Sequence, residues 1–551
     1  MFARGQLIST HTERLARVRR RGNIYIQRLS IYRVHCSVMM SARDVVKRYF
    51  KQDKGTEEWT CTCGKKLKQR HGTGYTNLFN HIKSQHKDWD GGASGQKTLD
   101  GNVIAISRDK TISDSVENLY SWVEWVCVGM KPFSFVEDEL TRKYSSLQPI
   151  CTKTLKKYMS LLTTTVEREI SKLLPERFAI IIDGWSKSST HFLAVFASFP
   201  SNEENGYSTV LLAFSPLFDE TSFTAKAQYD FVVWVIENVF KRSLTDVVAV
   251  IGDNCETNKA MCNLGGFNFV GCASHRFNLA VKKLLEEHEP LLVKVNALMS
   301  KLKNLKLSGA LRKHTDLRPI QRNVTRWSST AQMVDRYLAL KPFFVHFVNQ
   351  QELDGLWLSA RENRDLSDLH ETLERLNSIT KALQSESTNQ ADVRVLFDEV
   401  LKIHSSMATH LASDAKIVHS VDFECGIVKL LDGKDDSLTQ NEEKSLASLM
   451  IASDSTNEKK VDAEDDFAGA LLKRRKIERA GTTMYMDCRF ILPTSNIVER
   501  FFSTAGFTFG DLRQSLLPLN LEMQLFLKVN KAHWNKDIFM QAVEIDKSKD
   551  N

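Results

Sequence analysis

Residues 178–185 read FAIIIDGW. Five apolar residues, three of them consecutive isoleucines, are too few for a helix and rich in β-branching. They predict a strand buried on both faces. Outward from this segment the pattern recurs. FLAVFASF (192–199) and STVLLAF (208–214) read as further strands with short turns between them. AKAQYDFVVWVIENVFKR (225–242) reads as a long amphipathic helix. VVAVIGD (247–253) is strand again, ETNKAMCNL (256–264) helix, NFVGC (268–272) a short strand and SHRFNLAVKKLLEEHEP (274–290) helix. Three strands followed by alternating helices and strands predict an α/β unit with a mixed sheet over 177–290.

Asp183 ends the first of these strands and Asp253 closes the fourth. Each also suits a turn, through Asp-Gly and Asp-Asn chemistry. One such acid means little. Two at the same end of neighbouring strands, ~4.8 Å apart, could share a divalent cation. Two-metal phosphoryl transfer needs a third carboxylate to clamp the attacking and leaving oxygens. The best candidate is Glu499 in LPTSNIVERFFSTAG (492–506). Asn496 and Glu499 also have capping-box spacing for a helix N-terminus, so on the residues alone the two readings stand level.

The chain has 551 residues, which at ~150 per domain suggests three or four units. Apolar residues are 42% and charged residues 26%, which argues against wholesale disorder. The longest apolar runs fall far short of the ~18 residues a membrane span needs. Ten cysteines with no hydrophobic leader before them point to a reducing compartment. Residues 113–176 read as a helical domain. Residues 291–484 carry almost no strand signal and read as an all-helical stretch, with helices such as LSDLHETLERLNSITKALQ (366–384). Within that stretch, 431–470 holds eleven acids and four lysines and is expected to be a solvated loop. KRRK (473–476) follows, either a nuclear import signal or a solvated helix face. Residues 485–540 are apolar and helical again, and 541–551 form a tail.

The net charge is +8, but residues 1–100 hold 20 Lys and Arg against 8 Asp and Glu. All the excess positive charge therefore sits at the N-terminal end, as for a polyanion-binding front on a near-neutral body. Residues 1–40 hold eight arginines and one acid; they could be a transit segment, a basic arm or upstream sequence before Met39 and Met40, the last being favoured. Residues 41–92 contain WTCTCGKKLKQRHGTGYTNLFNHIKSQH (59–86), and a Gly-rich polar linker follows over 93–112. Two thiolates, Cys61 and Cys63, and two imidazoles, His81 and His86, suit tetrahedral zinc. The histidines would lie on a helix starting near Asn77. Trp59, Leu78 and Phe79 would supply a small apolar core. One residue between the cysteines is fewer than the common two to four.

This stretch resembles a BED-type zinc finger, a DNA-binding module. The resemblance implies Lys65, Lys66, Lys68 and Arg70 as phosphate contacts. Beyond it, DGW, GDNCETNKAM, CASHRFNLAV, TRW and TSNIVERFFSTAG occur in the order seen in hAT-family transposases, from the finger to about residue 540. The resemblance implies a multidomain α+β fold: a small zinc finger and an RNase H-like α/β catalytic domain interrupted by a long all-α insertion. It implies Asp183, Asp253 and Glu499 as catalytic acids holding Mg²⁺ or Mn²⁺, cleavage of double-stranded DNA at element ends with hairpins on the flanks, and joining of the freed 3′-hydroxyls to target DNA. Cys272 and His275 match the family's Cys-x-x-His pair and would contact DNA, unless they are a buried thiol and a helix-start histidine. Arg326 and Trp327 match its Arg-Trp, where the indole would stack on an unpaired base or pack in the core. Residues 485–540 resemble the dimerisation region; Phe501, Phe502, Leu512, Leu516, Leu525 and Phe526 would bury against a second copy or against the catalytic core. The protein would act in the nucleus, without membrane contact. The alternative is a DNA-binding, dimerising regulator that keeps the fold and no longer cuts.

Overall fold

A computed structural model describes residues 46, 49–52, 57–68, 76–86, 114–187, 189–323, 327–451, 484–509 and 516–549. The protein is mixed α+β and mostly helical. It divides into two compact units, Met1–Ser113 and Asp114–Asn551.

In the first unit, β1 (Phe50–Gln52), β2 (Glu58–Cys61) and β3 (Lys66–Lys68) form a small antiparallel sheet, followed by helix α1 (Thr76–Gln85). Val46, Phe50, Cys61, Leu78 and Ile82 are its buried core, with Trp59 and Leu67 packed against them. Among the described residues this core is small, and a metal staple would add to what burial supplies.

The second unit opens with helices α2 (Asp114–Val128) and α3 (Thr152–Leu173). Strands β4 (Phe178–Lys187), β5 (Thr190–Pro200) and β6 (Tyr207–Pro216) follow, then helix α4 (Ala225–Val233), which runs into a π turn. Strand β7 (Val247–Gly252), helix α5 (Glu256–Gly265), strand β8 (Phe269–Gly271) and helix α6 (Ala273–Glu286) complete the α/β part. The five strands stand in the order β6-β5-β4-β7-β8. The β6–β5 and β5–β4 pairs are antiparallel; β4–β7 and β7–β8 are parallel. β4 is buried from Phe178 to Ile182 and then alternates, so the chain leaves the core at Asp183. β7 is buried throughout. These are the continuous apolar runs expected of strands covered on both faces.

Helices α7 (Glu289–Leu302), α8 (Leu305–Leu311), α9 (Trp327–Leu340), α10 (Ala360–Leu383), α11 (Gln390–Ile403) and α12 (Val421–Leu431) come next. Leu298, Met333, Tyr337, Leu369, Leu373 and Phe397 are in a core shared by α7 to α11. That core does not stop at residue 290: Phe277, Val281 and Leu285 of α6 belong to it. Among the described residues of 291–484 the one β feature is an isolated bridge, Met450 to Tyr485. The solvated loop expected over 431–470 is corrected in its first half. Residues 435–449 form short helical turns in which Leu446 and Leu449 are buried and Glu442, buried with them, pairs with Lys429 at 2.7 Å. The remainder of that stretch and KRRK lie outside the described residues.

The chain ends with α13 (Asn496–Thr508), α14 (Pro518–Val529) and α15 (Lys536–Lys549). Helices α14 and α15 pack on α2 and α3: Gln524 donates to the carbonyls of Val126 and Lys131 at 2.9 and 2.8 Å, and Lys157 pairs with Asp546 at 2.6 Å. Residues 114–176 and the C-terminal helices therefore share one core, which the sequence reading had divided between two domains.

Candidate functional site

In the first unit the ligand atoms of Cys61, Cys63, His81 and His86 all lie within 4.8 Å of one another. The β2–β3 turn carries both thiols. A glycine with φ of +87°, Gly64, lets that turn close in a left-handed conformation that a side chain would strain. Helix α1 carries His81, and His86 follows its last residue. Cys61 Sγ lies 3.2 Å from His86 Nε2, and Cys63 Sγ 3.3 Å from His81 Nε2. Ligands at ~2.3 Å (sulfur) and ~2.0 Å (nitrogen) around tetrahedral zinc stand about 3.5 Å apart, so the four residues fit such an ion. Burial, foremost, pushes the Cys61 thiol up. Burial, then the neighbouring His86 and Lys65, push His81 down, towards the neutral imidazole a metal requires. The cluster could hold a metal such as zinc. Lys66 and Lys68 alternate with the inward Leu67 and share one exposed face of β3; Lys65 is exposed beside them. Arg70 and the side chain of Phe79 lie outside the described residues.

In the second unit the sheet register brings the strand-end acids together. Ile181 of β4 stands opposite Ile251 of β7 in a parallel pair, so Asp183 and Asp253, each two residues further on, emerge side by side. Both line an open cavity of about 450 Å³, and Glu499 of α13 lines it as well. Asp183 accepts a hydrogen bond from the Gly184 amide at 2.8 Å. Burial, the Asp253 carboxylate and, to a smaller degree, Glu499 nevertheless push its carboxyl up to about 7. Asp253 is fixed by Asn258, whose amide donates to Oδ1 at 2.5 Å and to the Asp253 carbonyl at 3.2 Å. His275 Nδ1 stands 4.0 Å from Asp253 Oδ2. No lysine or arginine is among the described residues lining the cavity. Three hard carboxylates with a proton-retaining member and no cationic side chain between them fit divalent cations.

The capping-box alternative for Glu499 is not what holds the start of α13. Ser495 is the N-cap and makes no side-chain cap bond, and Asn496 donates to the Leu383 carbonyl at 2.9 Å. Instead the helix entrance is tied to α6. The Ala273 amide donates to the Pro493 carbonyl at 2.9 Å, and the Ser495 amide to Cys272 Sγ at 3.4 Å. Cys272 is 1% exposed at the wall of the cavity, and its sulfur positions the helix bearing Glu499. His275 does reach the cavity.

Trp327 is 4% exposed and meets Phe277 edge-on, so it occupies the helical core, where the stacking expectation needs an accessible ring. Arg326 lies outside the described residues. The dimerisation expectation is corrected for three residues. Phe501 packs edge-on against Phe214 and Phe196 of the sheet, and Leu525 and Phe526 of α14 are buried within the same chain. Phe502 and Leu516 are half-buried, and Leu512 lies outside the described residues. Sequence reasoning assigned no role to Asn258 or Trp185. Asn258 follows Asp253 by five residues, a helix-start spacing that carries no signal of its own. Trp185 lines the cavity, its ring stacked on Phe502 with centroids 6.2 Å apart. Alternation in β4 was the available signal, since it puts Trp185 on the same face as Asp183. No protein-family model matches the chain, and no curated protein matches it.

Proposed function

We propose that this chain is a DNA strand-cleaving and strand-joining enzyme of the hAT transposase kind, or a descendant of one, acting on nuclear double-stranded DNA. The observation that carries the reading is the meeting of Asp183, Asp253 and Glu499 in one cavity, although 246 positions separate the last two. The strand order supports an RNase H-like catalytic core, with the first three strands antiparallel and two parallel strands added beyond β4. The helices between β8 and α13 support an inserted all-α part before the last catalytic helix.

On this reading the three carboxylates hold two Mg²⁺ or Mn²⁺ ions, which supply activation of a water or 3′-hydroxyl and stabilisation of the leaving oxygen. Asn258 orients Asp253, and the Cys272–Ser495 contact orients the helix of Glu499. Trp185 and Phe502 wall one side and limit water around the reacting phosphate. The zinc-fitted unit and its lysines bring duplex DNA to the enzyme. Pairing two DNA ends calls for a second copy, whose contact surface lies elsewhere than Phe501, Leu525 and Phe526.

The test uses full-length protein, Mg²⁺ and the terminal inverted repeats flanking its gene. Asp183→Asn should abolish nicking and leave DNA binding intact. Nicking by that variant overturns the assignment of the acids. Binding without nicking by the wild type favours the non-cutting DNA-binding regulator.

A further inference from the structure

Many cations of the helices between α6 and α13 stand next to acids. On α10 and α11 they sit beside acids of the same helix, as in Arg375–Glu371, Arg394–Asp398 and Lys402–Glu399. Residues 301–322 hold seven Lys and Arg against one acid, although the chain beyond residue 100 is net negative; of the seven, Lys306 pairs with Glu352 at 3.5 Å and Arg322 with Glu289. Lys301, Arg312, Lys313 and Arg318 are exposed, and none has an acid partner among the described residues. Lys303 is held by the uncharged Gln321 at 2.9 Å, which leaves its charge uncompensated.

The backbone keeps these charges together. Leu302, Leu307 and Leu311 plug into the helical core, which turns the intervening cations outward. The segment after α8 folds back along α7: the Arg322 amide donates to Asn296 Oδ1 at 3.2 Å, and Gln321 meets Lys303. The ring of His314 stacks flat on that of His346, with centroids 3.8 Å apart, and pins the turn that carries Arg312 and Lys313. Clustered like charges repel, and folding gains nothing from them. A polyanion removes that cost.

We propose that this face, from the end of α7 to Arg318, is a duplex-DNA contact separate from the zinc-fitted unit, binding phosphates without reading sequence. It rests on the reading that the partner is DNA. Duplex DNA presents a charge about every 1.7 Å, so cations on three successive backbone segments can each meet a phosphate without a dedicated pocket.

The experiment measures binding of full-length, zinc-loaded protein to a mixed-sequence duplex by fluorescence anisotropy across a salt series. The variant is Lys301→Gln, Arg312→Gln, Lys313→Gln and Arg318→Gln combined. All four positions are exposed, and an unchanged melting temperature establishes that it folds. Each lost phosphate contact lowers the log–log salt slope by ~0.9. For three lost contacts, the wild type should lose about 40-fold more affinity than the variant between 50 and 200 mM salt. The same loss on unrelated duplexes supports backbone contact. An unchanged slope overturns the proposal. So does an unchanged slope with lost binding of polyglutamate, which assigns the face to an acidic protein partner. Failure of Asp183→Asn to stop nicking would remove the catalytic reading and leave the salt slopes standing.

Discussion

Asp183→Asn should stabilise the protein, by an amount that grows as pH rises from 3.8 and is full above 7. The carboxyl of Asp183 is pushed from its ordinary 3.8 up to about 7, first by burial and then by Asp253. The folded chain therefore holds a proton that the unfolded chain has released above pH 3.8. That contribution to stability is full below pH 3.8 and lost as pH rises through 7. A shift of ~3 units corresponds to at most about 4 kcal/mol, and water in the open cavity reduces this to about 2 kcal/mol. Asparagine keeps the acceptor for the Gly184 amide and carries no charge. At ~2.1 cal/mol/K per residue, the roughly 440-residue second unit should melt about 2 °C higher in the variant at pH 8. The gap should open progressively as pH rises from 3.8 to 7, and at or below pH 3.8 the two proteins should melt together. The assay is a pair of calorimetric scans without added divalent cation, repeated with Mg²⁺. Mg²⁺ should raise the wild type's melting temperature at pH 8 and leave the variant's nearly unchanged. A variant that melts at or below the wild type at pH 8, with the same gap at pH 3.8, would refute the convergence of the three carboxylates.

Two further outcomes follow from the packing. Cys61→Ala or His86→Ala should remove one equivalent of zinc from the protein, and chelation should expose the amides of residues 49–86 to hydrogen exchange while leaving the melting of the second unit unchanged; a variant that keeps its zinc removes that ligand from the set. Phe501→Ala should cost about 3–5 kcal/mol through the cavity left against Phe214 and Phe196, and the loss should be the same at every protein concentration; a concentration-dependent loss would return Phe501 to a subunit interface.

The strands were legible because a strand covered on both faces must be a short continuous apolar run, and FAIIID and VVAVIG are such runs. Asp183 and Asp253 were legible because each stands where its run ends; Glu499 was not, since its spacing from Asn496 suits a helix cap equally well. The thiols and imidazoles were legible because the ligands are close in sequence and chemically distinctive. What could not be read was which apolar groups face the same chain. Phe501 and Leu525 have the spacing of an interface stripe and of a core stripe alike, and only the position of the sheet decides between them. Trp327 is ambiguous in the same way, since an indole suits a base and a core equally. The turns at 435–449 were hidden by composition: Asp436 and Glu443 are exposed while Leu446 and Leu449 point in, and Glu442 is buried where Lys429, thirteen positions earlier, meets it.

The distance in sequence between Asp253 and Glu499 poses a physical problem that the helices between them answer. A loop of that length costs only slowly growing closure entropy, so length alone does not forbid the site. The harder requirement is orientation, since a carboxylate displaced by an ångström no longer shares a cation with the other two. Helix α13 meets that requirement with contacts from both sides of its start. From the side of the sheet come the Ala273 amide to Pro493 and the Ser495 amide to Cys272. From the side of those helices come Asn496 to the Leu383 carbonyl, Gln390 to the Leu492 carbonyl at 3.2 Å and Arg500 to Glu386 at 2.9 Å. The Arg500–Glu386 pair is exposed and contributes little energy. The buried amide of Gln390 and the backbone bonds hold the position more firmly. The turn at 383–390, which bears no candidate catalytic residue, thereby sets where the third acid stands. Helices that separate the acids along the chain are what bring them together in space.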